Sequence, residues 1–267
     1  MITGIVSLQL MQFFMNVGSV SGTFGTMKKI AQIMDTDSEP DGGEPVPEVC
    51  ADIEFDNVSF AYAGGQDGIK NLSVKIPMGK VTAVIGGNGA GKSTLFKLLL
   101  RLYEPKSGEI RFGGDGIGKY SLTDWRDRFA VVSQRNPLIG GTVRENIAYG
   151  LDREVSDEEL AETARRANCS GGQGQCISIA RAMLRNADYL LLDEATSNLD
   201  VVSEAEVTGA MDELMRDKTT IMIAHNYAAT RNADYIIVMK DGAVEAAGTP
   251  DELLKTNEYY RMFVKTL

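Results

Sequence analysis

Gly86-Gly87-Asn88-Gly89-Ala90-Gly91-Lys92-Ser93-Thr94 is the stretch that decides the fold. It fits G-x-x-x-x-G-K-[ST], a loop whose backbone N–H groups cradle phosphate. Its flanks agree. Val81-Thr82-Ala83-Val84-Ile85 is a β-branched apolar run of strand length, and Thr94 to Leu102 is apolar-rich and reads as a helix. A strand, a glycine loop and a helix start aim a row of N–H groups and a helix dipole at one anion. Lys92 adds a point charge for the outer phosphates, and Ser93 offers a hydroxyl to Mg²⁺.

A second motif narrows the reading. Tyr189-Leu190-Leu191-Leu192 is an apolar run closed by Asp193 and Glu194. Such a run reads as a strand buried on both faces of a parallel sheet. Ligands of these sheets sit beyond the carboxyl ends of the strands, so both acids emerge where phosphates belong. Asp193 is placed to hold Mg²⁺. Glu194 is placed to orient and deprotonate an attacking water. Without the glycine loop the same pair would read as two surface acids.

Ser170-Gly171-Gly172-Gln173 lies between the first two motifs and opens a helix from Gln175 to about Leu184. Locally it is a capping box, in which Ser170 caps and Gln173 reaches back. Two glycines at a helix N-terminus also leave bare N–H groups for an anion. Phosphate loop, Ser-Gly-Gly-Gln, Asp-Glu, then Ser197-Asn198-Leu199-Asp200, in this order, resemble the nucleotide-binding domain of an ATP-binding cassette (ABC) transporter. The resemblance runs from about Ile53 to the C-terminus. It implies an α/β fold of P-loop NTPase type: a mixed core sheet with flanking helices, an antiparallel β subdomain and a helical subdomain.

The resemblance also assigns roles by position. Gly86 to Thr94 would bind ATP, with Ser93, Gln134 and Asp193 around Mg²⁺. Tyr62, at the end of Val58-Ser59-Phe60-Ala61-Tyr62, takes the place of the aromatic residue that stacks on adenine. Gln134, in Val131-Val132-Ser133-Gln134, resembles the glutamine that touches Mg²⁺ or water and reports nucleotide state. His225 ends Ile221-Met222-Ile223-Ala224 at the position of the γ-phosphate switch and is the only histidine in the chain. Ser170, Gly171, Gly172 and Gln173 would close over ATP held by a partner subunit, and Asp200 would couple the two sites. The implied partners are a second nucleotide-binding domain, identical or different, and the membrane domain of an exporter. The implied place is the cytoplasmic face of the plasma or inner membrane.

Composition fits. Acids outnumber bases 37 to 27, a net charge of −10. That argues against nucleic acid as a partner, since phosphate contacts need a basic face. Cys50, Cys169 and Cys176 form no Cys-x-x-Cys pair. Structural zinc is not expected, and unpatterned thiols suit a reducing cytosol.

Three segments differ in character. Residues 1–35 are apolar-rich but broken by Gly4, Gln9, Gln12, Asn16 and Gly18. The run is too short and interrupted for a free-standing span of ~20 apolar residues and lacks a signal peptide's basic start. By resemblance it is the lower end of an exporter's last membrane helix; the other reading is an amphipathic helix packed on the domain. Residues 36–52 carry Pro40, Gly42, Gly43, Pro45 and Pro47 among acids and read as a linker. The cassette spans 53–267, with its helical subdomain at about 143–187.

That subdomain departs from the family pattern. Between Gln134 and Ser170 lie 35 residues, fewer than relatives carry by about two helices of ~11–12 residues each. Cys169 stands where leucine is usual, and Gly174 and Cys176 where bases are common. Residues 157–167 read as one helix capped by Ser156. The shortening predicts missing apolar cover over that helix. The expected function is an ATP-hydrolysing exporter subunit. The alternatives are a binding-only cassette and a soluble cassette ATPase of DNA maintenance.

Overall fold

The computed structural model describes residues 11–12, 24–32, 34–35, 39, 42–65, 67–133, 138–168, 174–193 and 201–265, with backbone alone at 67 and 201–206. It divides into two compact units, Met1–Asp41 and Gly42–Leu267. In the first unit residues 24–32 are helical. Phe24, Met27 and Ile30 recur every third position there and are exposed. No helix among the described residues is long and apolar enough to cross a membrane.

The second unit holds two sheets. The smaller is antiparallel, in the order β2 (Asp67–Ile76), β1 (Ile53–Ala61), β4 (Ser107–Phe112), β5 (Asp115–Gly116). Alternation built it. Ile53, Phe55, Leu72, Val74 and Ile76 are buried, while their neighbours face out.

The larger sheet has six strands. β3 (Val81–Gly86) lies at its centre, flanked by β8 (Thr219–Ile223) and β9 (Tyr235–Lys240). β7 (Tyr189–Asp193) and β6 (Phe129–Val132) continue the sheet beyond β8, and β10 (Ala243–Gly248) closes it beyond β9. All neighbours are parallel except β10, which returns antiparallel on β9. That hairpin turns through Asp241 (φ 51°) and Gly242 (φ 83°), two left-handed residues as a tight two-residue turn requires.

Both faces of this sheet are buried, and each strand feeds two cores. Ala83, Ile85, Leu190, Leu192, Met222 and Val238 belong to one. Val84, Tyr189, Leu191, Ile221, Ile223 and Ile237 belong to the other, which includes the antiparallel sheet. The second core also takes in Leu95, Phe96, Leu98 and Leu99 of helix α1 (Lys92–Leu99) and Trp125 of α2 (Leu122–Asp127). The first core takes in α5 (Gly174–Arg185) and α6 (Val201–Met215). Between α2 and α5 run α3 (Val143–Ile147) and α4 (Asp157–Arg166). α7 (Tyr227–Thr230) lies between β8 and β9, and α8 (Pro250–Thr256) and α9 (Glu258–Lys265) follow β10.

Four features of the fold bear on what the sequence suggested. First, α1 begins two residues earlier than its apolar run and stops at Leu99, not Leu102. Its C-terminal carbonyls are taken by distant donors: Trp125 Nε1 to Leu99 O (2.7 Å) and Arg126 Nε to Leu100 O (3.0 Å). Arg101 then turns the chain with φ 52°. Second, the helix that opens at Pro250 is followed by one more. Asn257 breaks it in an extended conformation and caps α9, accepting from Tyr260 N at 2.7 Å. Third, the compact unit begins at Gly42, because part of the proline-rich stretch is docked. Glu44 bridges Tyr120, and Tyr189 Oη donates to Ala51 O at 2.6 Å and accepts from Ala51 N at 2.9 Å. Fourth, α4 is covered. Leu160 and Ala164 pack against the first core, and no large apolar residue of α4 is exposed. The neighbouring helix α5 supplies the cover that was expected to be missing. The exposed apolar side chains of this region lie earlier, at Leu138, Ile139, Val143 and Tyr149.

Candidate phosphate-binding site

The loop after β3 is shaped by where a Cβ cannot go. Gly86 has φ 151°, and a Cβ there would lie 2.2 Å from Met239 O. Gly91, with φ 98°, caps α1, and a Cβ there would meet Ile69 Cδ1 at 2.9 Å and Gly68 O at 3.0 Å. Both contacts come from other elements, so the loop is pressed between β9 and β2. Around Gly87 and Gly89 the space is open. The result is a cradle with packed shoulders and an empty floor. The β9–β10 turn supports it from below, where Gly242 N donates to Ala90 O at 3.2 Å.

Lys92 opens α1 and is buried to 6% exposure. Its ammonium folds back over the loop and donates to Gly86 O (2.7 Å) and Gly87 O (3.0 Å). Such bonds hold a charge at the mouth of the cradle, ready for an anion of higher charge density. Ser93, the next residue, is exposed, and Thr94 is buried. Thr94 Oγ1 lies 3.0 Å from Tyr62 Oη.

Sheet register brings the remaining described residues to the same edge. β8 lies between β3 and β7, with Val84 and Asp193 both opposite Ile223. Asp193 therefore ends its strand level with the phosphate loop, half-buried. His225 follows Ile223 by two residues, exposed at the same end. Asn226 beside it caps α7 by accepting from Ala229 N at 2.9 Å. The carboxyl edge of three adjacent strands thus carries an ammonium, a carboxylate and an imidazole around a glycine cradle. Gln134, Ser170, Gly171, Gly172, Gln173, Glu194 and Asp200 lie outside the described residues.

The donor set suits a nucleoside triphosphate with Mg²⁺. The open glycines admit phosphate oxygens to the backbone N–H groups. Ser93 and Asp193 are hard oxygen donors, the kind Mg²⁺ takes alongside phosphate and water. Among the described residues no group of three His, Cys, Asp or Glu side chains forms a closed metal cage.

Two residues near Tyr62 carry no sequence signal. Lys97 lies on α1 one turn beyond Ser93, and Tyr103 follows the left-handed turn at Arg101. Their meeting with Tyr62 is a contact across more than thirty positions of sequence, which no local pattern announces.

Comparison with known proteins gives a consistent picture. The ABC transporter family model matches residues 69–197. The chain is similar to the ATP-dependent lipid A-core flippases of Salmonella paratyphi A and of Escherichia coli strain K12. Each alignment is 38% identical over 257 residues, covering 87% of this chain and 44% of the relative. Among solved structures it resembles a bacterial Atm1-family ABC exporter with ATP bound, with a TM-score of 0.80 and 29% identity, covering 89% of this chain and 46% of that one. The chain therefore spans less than half the length of these relatives. Within the flippase alignments, 87% of 267 residues is about 232, about 25 fewer than the 257 over which they run.

Proposed function

The chain belongs to the ABC transporter family, and on that premise we propose that it is the ATP-binding and ATP-hydrolysing cassette of an exporter. One observation carries the reading: the phosphate loop, Asp193 and His225 meet at the carboxyl edge of β3, β7 and β8. Lys92 and the loop N–H groups bind the phosphates. Ser93, Asp193 and Gln134 would hold Mg²⁺, which neutralises charge on the transferring phosphoryl group when bound. Glu194 orients a water and takes its proton. His225 contacts the γ-phosphate. Tyr62 takes the adenine.

The remaining assignments rest on family likeness. Ser170-Gly171-Gly172-Gln173 completes the site of a second cassette, and Asp200 links the two. The partners are that second copy or a related chain, and a membrane domain to which residues 1–35 lead. The place of work is the cytoplasmic face of the membrane. Nothing in the site or in the relatives named above favours DNA maintenance.

Glu194→Gln tests the chemistry. The variant should keep ATP binding and lose hydrolysis by about 10²–10⁴-fold, the usual reach of a general base. A variant hydrolysing at the wild-type rate ends the assignment. A second reading, a cassette that binds without turnover, has one observation in its favour: the roughly 25-residue shortfall in the alignments. A wild-type chain that binds Mg-ATP but releases no phosphate would establish it.

A further inference from the structure

Three aromatic rings and one lysine form a cluster beside the phosphate loop. Tyr62 stands edge-on to Phe60 (centroids 4.9 Å, 84°) and edge-on to Tyr103 (5.4 Å, 84°). Phe60 and Tyr103 are themselves 5.1 Å apart. Lys97 Nζ lies over the Tyr62 ring at 5.3 Å and over the Tyr103 ring at 5.9 Å, and donates to Tyr62 Oη at 3.4 Å. Tyr62 Oη also meets Thr94 Oγ1. Tyr62 is thus contacted by two rings at near right angles, by a cation on its hydroxyl side, and at its hydroxyl by the phosphate-loop helix.

The grip comes from rigid parts. Tyr103 leaves α1 through the left-handed Arg101, whose carbonyl accepts from Arg126 Nη2 at 3.1 Å and whose guanidinium donates to Tyr120 O at 2.7 Å. Beyond it the chain is pinned to β1, where Lys106 N donates to Ser59 O at 2.7 Å. Tyr62 itself sits one residue past the end of β1, before Gly64 and Gly65, both of positive φ. On its own that stretch has little to hold a ring. Tyr103 and Lys97 supply what the turn lacks. Aromatic pairs in this geometry add to area burial and favour one ring orientation.

We propose that Tyr103, together with Lys97, is a positioning residue that holds Tyr62 in the orientation that receives the nucleotide base, and that it does so without touching the phosphates. Lys97 and Thr94 lie on the same helix as Lys92, so the base platform and the phosphate cradle are fixed to one rigid body. The inference rests on the assignment of Tyr62 to the base.

Binding of Mg-ATP and of inorganic tripolyphosphate to the full chain separates the two halves of the site. Tyr103→Ala should weaken ATP on the order of tenfold, the size of one base–aromatic stack. Tripolyphosphate affinity should not change. Tyr103→Phe keeps the ring and should restore ATP affinity. Tyr62→Ala/Tyr103→Ala should bind ATP no more weakly than Tyr62→Ala alone, because both act through one contact. Lys97→Met should give a smaller loss with the same split between ligands. Wild-type affinity for ATP in Tyr103→Ala, equal loss of both ligands, or additivity in the double variant overturns the proposal. If Tyr62→Ala itself binds ATP normally, the base assignment fails first. If the wild-type chain binds neither ligand, the nucleotide reading fails altogether.

Discussion

The phosphate loop and the stretch from Leu138 to Ala167 are both loop-and-helix structures, and they are held by opposite means. Between Gly86 and Lys92 the backbone does the work. Its shape follows from missing Cβ atoms, and it is clamped by carbonyls of β9 and β2. Between Leu138 and Ala167 side chains do the work. Asn146, buried to 4% exposure, accepts from Ile139 N at 2.9 Å and donates to Ile139 O and Thr142 O at 3.1 and 3.0 Å. Arg181 of α5 reaches across to Asn146 O at 2.8 Å and stacks over Tyr149. Burial draws that guanidinium below its ordinary range, with Tyr149 opposing. Thr142 and Glu145 form a capping box, Ser156 caps α4, and Arg144 pairs with Asp157. A backbone-built loop tolerates no added atom at its packed shoulders, Gly86 and Gly91. A side-chain-built one is sensitive to each polar group removed, yet leaves the cradle alone.

The largest expected effect is at Gly86. In Gly86→Ala the new methyl would meet the backbone carbonyl oxygen of Met239 at 2.2 Å, an atom that cannot swing away. Strand β9 must move or the loop must, and a strained backbone costs about 1–3 kcal/mol before the clash is counted. Thermal unfolding should fall by several degrees and Mg-ATP binding should be lost. Retained affinity with normal stability would break the contrast, because it would mean the loop yields as easily as a side chain.

Asn146→Ala attacks the other region. It removes the partner of a loop N–H and two carbonyls in a half-buried setting, a loss of about 1–3 kcal/mol for unsatisfied buried groups. Urea titration should show that loss while tripolyphosphate affinity holds. A drop in tripolyphosphate affinity would show that the two regions are coupled after all.

How far the chain could be read in advance follows the same division. Strands β3 and β7 were legible because a strand buried on two faces reads as a near-continuous apolar run, broken inside β3 only by Thr82. The cradle was legible because its glycines and Lys92 are contiguous. The end of α1 was not, since Trp125 and Arg126 finish that helix from a different element. Nor was Tyr103, whose meaning appears only once β1 and α1 lie side by side. The cover of α4 was misjudged for the same reason: a helix's neighbours are a tertiary fact, and α5 was close enough to serve.

Tyr189 offers a side-chain contact inside the backbone-built half, and so sharpens the contrast. Its ring is fully buried in β7, and its hydroxyl latches Ala51. Burial pushes its pKa up from 10.0 to about 12, with the Ala51 bond opposing. In the unfolded chain the phenol ionises near 10, so between pH 10 and about 12 the unfolded state sheds its proton first. Stability from Tyr189 is therefore full below pH 10 and drains away as pH rises through that window. Tyr189→Phe should cost about 1–2 kcal/mol at pH 8 and flatten the alkaline decline relative to wild type. Parallel stability curves for the two proteins from pH 8 to 11 would show that the buried hydroxyl is not what titrates.

The smallest effect is at the start of α4. Ser156 Oγ accepts from Glu159 N at 3.1 Å and satisfies one of the free N–H groups of the first turn. Asp157, Glu158 and Glu159 add negative charge at the positive end of the helix dipole. Ser156→Ala removes the acceptor and leaves that charge, so the loss should be about 1 kcal/mol, as for other N-cap serines. Hydrogen exchange locates it better than global unfolding does. Amides of 157–166 should exchange faster in Ser156→Ala, and those of β7 at Tyr189–Leu192 should not change. In the wild type, amides across α4 should already open more readily than those of β7, because its cover comes from one helix rather than two cores. Equal protection of α4 and β7 would mean that capping and ion pairs give this segment the cooperativity of the central sheet, and the distinction between the two regions would then be one of construction and not of stability.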